Sequence, residues 1–264
     1  MDQLISDRLQ DNLKRLKLTQ AAGMLDSVVA RAEADKDSYL AFLDQLLEEE
    51  VAAKEKRRVQ TAMKTAGLPS AKTIEEYDFT FHPKLNKKEV MTLFDLDFIG
   101  KKENVIFLGP PGVGKTHLAI SLATKACHHG FKVYFTTMDT LMRKLKEPQS
   151  RAKAYLTSPL VVVDEVGYQP IDTKEAYLFF QFVSYRYERS STLITSNKSF
   201  GDWQELFGEQ VIATAILDRL LHHCRVVNIK GHSYRLRGHS FSKNDFATAG
   251  TAAPVVENGK TEVQ

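Results

Sequence analysis

A chain of 264 residues, 43% hydrophobic and with a net charge of only +3, is neither a disordered polymer nor a uniformly basic scaffold. It has room for one full α/β domain plus a smaller appendage, and any polyanion binding must come from local clusters rather than the global field. The two cysteines, Cys127 and Cys224, lack metal-type spacing, so free thiols in a reducing compartment are expected. The start, Met-Asp-Gln-Leu-Ile-Ser-Asp, carries no basic-then-apolar signal, and no apolar run approaches membrane-spanning length. A cytoplasmic protein without a membrane partner is the expectation.

Residues 1–68 read as an all-helical domain. Leu4, Leu9, Leu13, Leu16 and Leu18 fall near helical spacing, as do Met24, Leu25, Val28 and Val29. From Ser38, a good N-cap, an uninterrupted run reaches Gly67-Leu-Pro69, which predicts one long helix. Lys54, Lys56, Arg57 and Arg58 on it form either a nucleic-acid or partner surface or a solvated helix face. A module this small needs a partner or the main domain to bury its leucines. Residues 69–100 read as a connector, in which Tyr77, Phe79 and Phe81 alternate as in an extended segment. Lying just before a nucleotide-binding strand, it would line a base pocket or simply pack on the core. Asn86 then opens a short helix through Val90, Leu93 and Phe98.

At residues 104–119 the run Asn-Val-Ile-Phe-Leu-Gly-Pro-Pro-Gly-Val-Gly-Lys-Thr-His-Leu-Ala reads strand, glycine-rich loop, helix. Gly109, Pro110, Pro111, Gly112, Val113, Gly114, Lys115, Thr116 and His117 are the candidate phosphate-binding residues. The glycines let backbone N–H groups converge on phosphate oxygens, and the helix aims its positive end at the same anion. Lys115 supplies a point charge for the β- and γ-phosphates, and the Thr116 hydroxyl is placed to ligate Mg²⁺.

Strand and helix then alternate. Lys132–Thr137 is a strand, Asp139–Leu156 a polar helical stretch, and Leu160-Val-Val-Val-Asp164-Glu165 a buried parallel strand. Asp172 caps a helix through Tyr187, Ser191–Asn197 is a strand, Phe207–His223 is helical, and Cys224–Lys230 is the last strand. Such alternation over residues 101–241 predicts a five-stranded, doubly wound parallel sheet with its ligand at the strands' carboxyl ends. Residues 242–264 turn to Ala, Thr, Gly, Val and Glu without period and read as a flexible tail.

Asp164, delivered to a strand end, can hold Mg²⁺, and the next residue, Glu165, on the other side of the pleat, can act as general base toward water. Asn197, at another strand end, can hydrogen-bond the γ-phosphate or the attacking water, although asparagine is also a common turn former. Arg219 sits on an otherwise apolar helix, where it either pairs with Asp218 or reaches the nucleotide of an adjacent subunit as an arginine finger. From Arg219 to Lys243 there is no acidic residue, while Arg225, Lys230, Arg235 and Arg237 occur, a one-signed run able to contact phosphates of nucleotide or DNA. The tandem pairs His128-His129 and His222-His223 would point to different sides of their helices and read as surface residues rather than metal ligands.

With these residues in hand, the chain resembles the IstB-type ATP-binding proteins, helper ATPases of bacterial insertion sequences. More distantly it is similar to DnaC-type helicase loaders of the AAA+ superfamily. The features carrying the resemblance are the loop at 109–119, Val163-Asp-Glu-Val-Gly-Tyr168, the run from Arg186 to Asn197, Ile216–His223 and Ile229–Arg237. The resemblance spans about residues 10–240. It implies a P-loop AAA+ ATPase using ATP and Mg²⁺ that forms a ring or helical homo-oligomer on duplex DNA and hands a target site to its transposase. By motif, it makes Lys115 and Thr116 the phosphate and Mg²⁺ ligands, Asp164 and Glu165 the Walker B pair and Asn197 the first sensor. Arg219 becomes the arginine finger acting in trans and Arg235 the second-sensor arginine. It also implies that no helical lid follows the last strand. The alternative is a DnaC-like loader acting as an ATP-switched adaptor for a helicase.

Overall fold

The computed structural model describes residues 2–237 apart from 148 and 170, so the expected tail lies outside the described residues. Three helices come first: α1 (Asp2–Arg15), α2 (Thr19–Asp35) and α3 (Tyr39–Ala66). The single long helix predicted after Ser38 is α3. The Ser38 hydroxyl accepts the Ala41 N–H at 3.2 Å, and Gly67 closes the other end at a left-handed φ of 68°. Leu18 offers α2 no side-chain cap. The buried Glu50 of α3 supplies it instead, its carboxylate accepting the N–H groups of Gln20 at 2.7 Å and Ala21 at 3.0 Å. A negative charge at that end suits the helix dipole, and Lys54 and Arg57 at 3.8 and 3.4 Å keep Glu50 paired. Ala21, Leu25, Val28 and Leu46 form a small separate core among these helices.

Five parallel strands make one sheet: β1 (Asn104–Leu108), β2 (Val133–Thr137), β3 (Leu160–Val166), β4 (Ser191–Ser196) and β5 (Cys224–Asn228), in the order β2-β3-β4-β1-β5. Because strand side chains alternate, each strand feeds two cores. Val105, Phe107, Leu160, Val162 and Leu193 pack with the helix α6 (Lys115–His128) and with the connector on one face. Ile106, Leu108, Val161, Val163 and Ile194 pack on the other. There they meet α7 (Met138–Lys146), α9 (Thr173–Arg186), α10 (Trp203–Phe207) and α11 (Gln210–Leu221). The doubly wound parallel sheet expected from the sequence is therefore the one observed. Ala62, Met63 and Ala66, at the end of α3, pack into the first of these cores, so the long helix is seated on the sheet domain.

Three expected elements are broken where the backbone forces it. The stretch 139–156 divides into α7 and α8 (Gln149–Thr157), because Glu147 precedes a proline in the sequence and takes an extended ψ of 166°. Phe207–His223 divides at Gly208, left-handed at φ 72°, into α10 and α11. The helix after Asn86 ends as α4 (Lys87–Leu93), and left-handed Leu96 starts a separate α5 (Asp97–Lys101). The connector also differs from its extended reading. Asp78 accepts the Thr80 N–H and caps a 3-10 turn at Phe79–Phe81, so Tyr77 alone of the three rings is buried.

Arg186 at the end of α9 is the largest buried cation. Its guanidinium donates to the carbonyls of Tyr155, Leu156, Ser158 and Ser191 and to the Thr192 hydroxyl, tying the end of α8 to the start of β4. Burial pulls its pKa down to about 9, which leaves it charged at neutral pH. Arg186→Met keeps the volume but strands those acceptors. We expect a loss of roughly 2–4 kcal/mol in urea unfolding; an unchanged midpoint would show that the guanidinium does not hold this corner.

Candidate functional site

The loop after β1 has the conformation a phosphate cradle requires. Gly112 and Gly114 sit at φ 80° and 90°. A Cβ would lie 2.0 Å from Ser233 Oγ at Gly112 and 2.6 Å from the Tyr77 ring at Gly114, so both approaches admit glycine only. Helix α6 begins at Lys115 with no side-chain cap, so its first N–H groups are left for an anion. Lys115 Nζ turns back onto the carbonyls of Gly109 at 2.7 Å and Pro110 at 2.8 Å. Burial lowers its pKa, with Arg235 pushing the same way and Asp164 opposing. Two of the loop's own acceptors thus hold the amine where incoming phosphate oxygens would replace them.

The acidic half lies at the end of β3. The Thr116 hydroxyl donates to the Asp164 carboxylate at 3.0 and 3.2 Å, which brings the two expected Mg²⁺ ligands together. Both are hard oxygen donors of the kind Mg²⁺ takes beside phosphate. Thr195, which sequence reasoning missed, donates its hydroxyl to Asp164 and accepts the Glu165 N–H at 3.1 Å. Its signal was available: it stands two residues before Asn197 on β4, on the face of that strand opposite to Ile194.

Glu165 does not follow the simple pleat. A register shift between Val163 and Val166 makes a bulge, and Glu165 takes a left-handed φ of 64°. The bulge turns its side chain outward, and it lines the same cleft as Lys115 and Thr116. For a non-glycine residue this conformation is sparsely populated and costs on the order of 1–3 kcal/mol, held here by the Thr195 bridge.

A cleft of about 590 Å³ opens over these groups. Pro69, Tyr77, Asp78 and His82 of the connector form one wall. Tyr77 donates to the Val113 carbonyl at 3.1 Å, and His117 Nε2 lies 3.0 Å from the Thr73 carbonyl. The chain beyond β5 packs beside the connector and adds to the lining, with the Tyr234 N–H donating to the Gly112 carbonyl at 2.9 Å and its ring 5.0 Å from Phe81. That contact places exposed Arg235 in the cleft, while Arg237 pairs with Asp78 at 2.9 Å outside it.

Two expected residues stand apart. Asn197 follows β4 immediately, does not line the cleft, and has a buried Oδ1 with no partner among the described residues. Arg219 on α11 does not pair with Asp218. It stacks over Phe180 at 4.7 Å and donates to the Ala215 carbonyl, away from its own cleft. The reading of His222 and His223 as residues on different sides of a helix is corrected. His222 is already the C-cap of α11, and the two rings lie 4.1 Å apart. Both cysteines are free, and burial raises Cys127 to about 11 and Cys224 to about 12.

Residues 11–242 match the family model described as IstB-like ATP binding protein. The chain belongs to that family. It is 44% identical over 231 residues to the ATP-binding protein named for insertion sequence IS21 in Pseudomonas aeruginosa, covering 85% of this chain and 87% of that one. Its identity to the protein named for IS5376 in Geobacillus stearothermophilus is 41% over 239 residues, covering 88% and 95%. Among solved structures, the DnaC helicase loader aligns with a TM-score of 0.46 and 24% identity over 55% of this chain and 90% of that one. DnaI aligns at 0.49 and 20% over 61% and 89%. The α/β class with a five-stranded, doubly wound parallel sheet expected from the sequence is the class of this IstB-like chain. Membership in a family described as ATP binding supports ATP as the nucleotide.

Lys115→Ala removes the charge that the cradle is built around. We expect ATP affinity, read with a fluorescent analogue, to fall about 10- to 100-fold, the worth of roughly 1.5–3 kcal/mol for a charge-assisted contact. Retained affinity would refute the assignment.

Proposed function

We propose that this IstB-like protein is a cytoplasmic, DNA-stimulated ATPase that oligomerises on duplex DNA and delivers a target site to the transposase of its own element. The observation that carries the reading is the convergence of Lys115, Thr116 and Glu165 on one cleft, with Asp164 hydrogen-bonded to Thr116 beneath it, in a chain whose relatives are named for insertion sequences.

In this mechanism Lys115 exchanges the carbonyls of Gly109 and Pro110 for the β- and γ-phosphates of ATP, while the N–H groups of the loop and of α6 take the remaining oxygens. Thr116 and Asp164 would hold Mg²⁺, which neutralises charge between the phosphates. Glu165 accepts the proton of the attacking water. Asn197, with its unpartnered buried oxygen beside Gly167, orients that water or the γ-phosphate. Arg235 contributes charge from the wall beyond β5, and the connector wall receives the base. Arg219 lies away from its own cleft and acts on the nucleotide of a neighbouring subunit, which couples hydrolysis to assembly. The basic run after Arg219 and the cations of α3 are the surfaces for DNA phosphates. Residues 1–68 form the partner-binding domain and 101–241 the ATPase domain, joined by 69–100.

The competing adaptor role draws on one feature. Leu40, Leu43, Leu47 and Val51 form an exposed apolar stripe along α3. Pull-down of the cognate transposase and of replicative helicase separates the two readings, since the proposal requires transposase. Sedimentation and electron microscopy with ATP and a long duplex should show multi-subunit assemblies on DNA; a monomer indifferent to both would overturn it.

Glu165→Gln should bind ATP normally and lose turnover on the order of 10²–10⁴-fold, and Arg219→Ala should lose about 10³-fold or more. Mixing the two inactive variants should restore part of the activity, because some interfaces then pair an intact Glu165 with an intact Arg219. No recovery on mixing would remove Arg219 from the neighbour's site.

A further inference from the structure

A second cluster of chemistry-bearing side chains lies at the other end of the strands from the ATP cleft. His223 immediately precedes β5, and its carbonyl accepts the Asn104 N–H at the start of β1, 2.7 Å away. It therefore sits at the strands' amino ends, roughly 16 Å from the carboxyl ends that carry the cradle. Here Glu188, His222 and His223 each offer one ligand atom, and these atoms lie within 4.8 Å of one another. We propose that Glu188, His222 and His223 form a binding site for a transition-metal dication of the zinc class, separate from the Mg²⁺ that ATP brings.

Three features preorganise the site. His222 caps α11 with helical φ and ψ, so the next residue leaves the helix and both imidazoles fall on one side. Glu188 has a left-handed φ of 58° in the turn after α9, where the N–H groups of Arg189 and Ser190 both donate to the Arg186 carbonyl. Arg186 is in turn fixed by its buried guanidinium, so the turn that presents Glu188 is anchored to the core. The third feature is the Tyr187 hydroxyl, 2.7 Å from His222 Nδ1. Metal-bound imidazoles typically use one nitrogen for the ion and the other for an orienting hydrogen bond. Tyr187 occupies Nδ1 and leaves Nε2 for the ion.

Donor chemistry selects the ion. Two imidazoles and one carboxylate suit Zn²⁺, Ni²⁺ or Cu²⁺, whereas Mg²⁺ prefers an all-oxygen, hydrated shell. His223 Nε2 already stands 3.7 Å from a Glu188 oxygen, somewhat wider than the separation of two ligands on one small dication, so closure needs only side-chain rotation. Three protein ligands leave a fourth position open, so water or a donor from another molecule completes the shell.

The test is isothermal titration of Zn²⁺ into chelator-treated, untagged full-length protein, with Mg²⁺ as the comparison ion. We expect one equivalent of Zn²⁺ bound at low micromolar concentration or tighter, with no competition from millimolar Mg²⁺. His222→Ala, His223→Ala and Glu188→Gln should each abolish that equivalent, and Tyr187→Phe should weaken it about 10-fold. All four positions lie outside the ATP cleft, so thermal unfolding and binding of the fluorescent ATP analogue should stay as in the wild type. The proposal is overturned if the wild type takes up no stoichiometric Zn²⁺, or if His222→Ala and His223→Ala bind as the wild type does. Because ATP binding is read separately, failure here leaves the ATPase reading standing.

Discussion

The Asp164 carboxylate is the point on which the site depends. It accepts hydroxyls from Thr116 on α6 and from Thr195 on β4, so three elements from different parts of the chain meet at one side chain. Thr195 also accepts the Glu165 N–H, which holds the bulge that turns Glu165 toward the cleft. Without a bulge, pleat alternation would send two consecutive acids to opposite faces of the sheet, one of them into a packed core. The local backbone strain at Glu165 is thus the cost of turning it to the cleft while Asp164 stays bonded to Thr116 and Thr195 beneath it.

A second constraint closes the cradle from outside the motif. Gly112 accepts the Tyr234 N–H and would collide with Ser233 if it carried a Cβ, while Gly114 lies against the Tyr77 ring. The glycines therefore serve two purposes. They free the loop's N–H groups for phosphate, and they let the connector and the segment after β5 pack closely on the loop. Arg235 reaches the cleft on a short 3-10 turn, Tyr234–Leu236, which this packing holds against the loop.

Much of this was legible in the sequence because its signals are local. The strand–loop–helix order at 104–119, the apolar run ending in Asp164-Glu165 and the Ser38 cap each report a short-range physical preference, and each holds. Where the reading failed, the deciding contact was long-range or one residue wide. Glu165 follows a bulge that only its pairing with Thr195 reveals. The alternation of Tyr77, Phe79 and Phe81 mimics a strand, but the Asp78 side chain captures the backbone first. The His222-His223 pair was read with helical rotation one residue after the helix had ended. Leu96, left-handed and buried, divides α4 from α5 with no glycine or proline to announce it.

The long helix α3 gives the fold a consequence that no motif states. Its 28 residues span roughly 42 Å, with one end in the small helical core and the other in the sheet's core. Arg58 near its middle donates to the His128 carbonyl at the end of α6, and its guanidinium lies against Gly130. Helix α6 starts at the phosphate cradle and finishes under α3. The cradle and the helical region are thus joined by two rigid elements in contact, with no flexible linker between them. The same architecture explains why α3 carries few apolar residues on its middle turns. Its apolar contacts lie toward its two ends, and the stretch between Glu50 and Arg58 faces water, with Lys54, Lys56 and Arg57 on it.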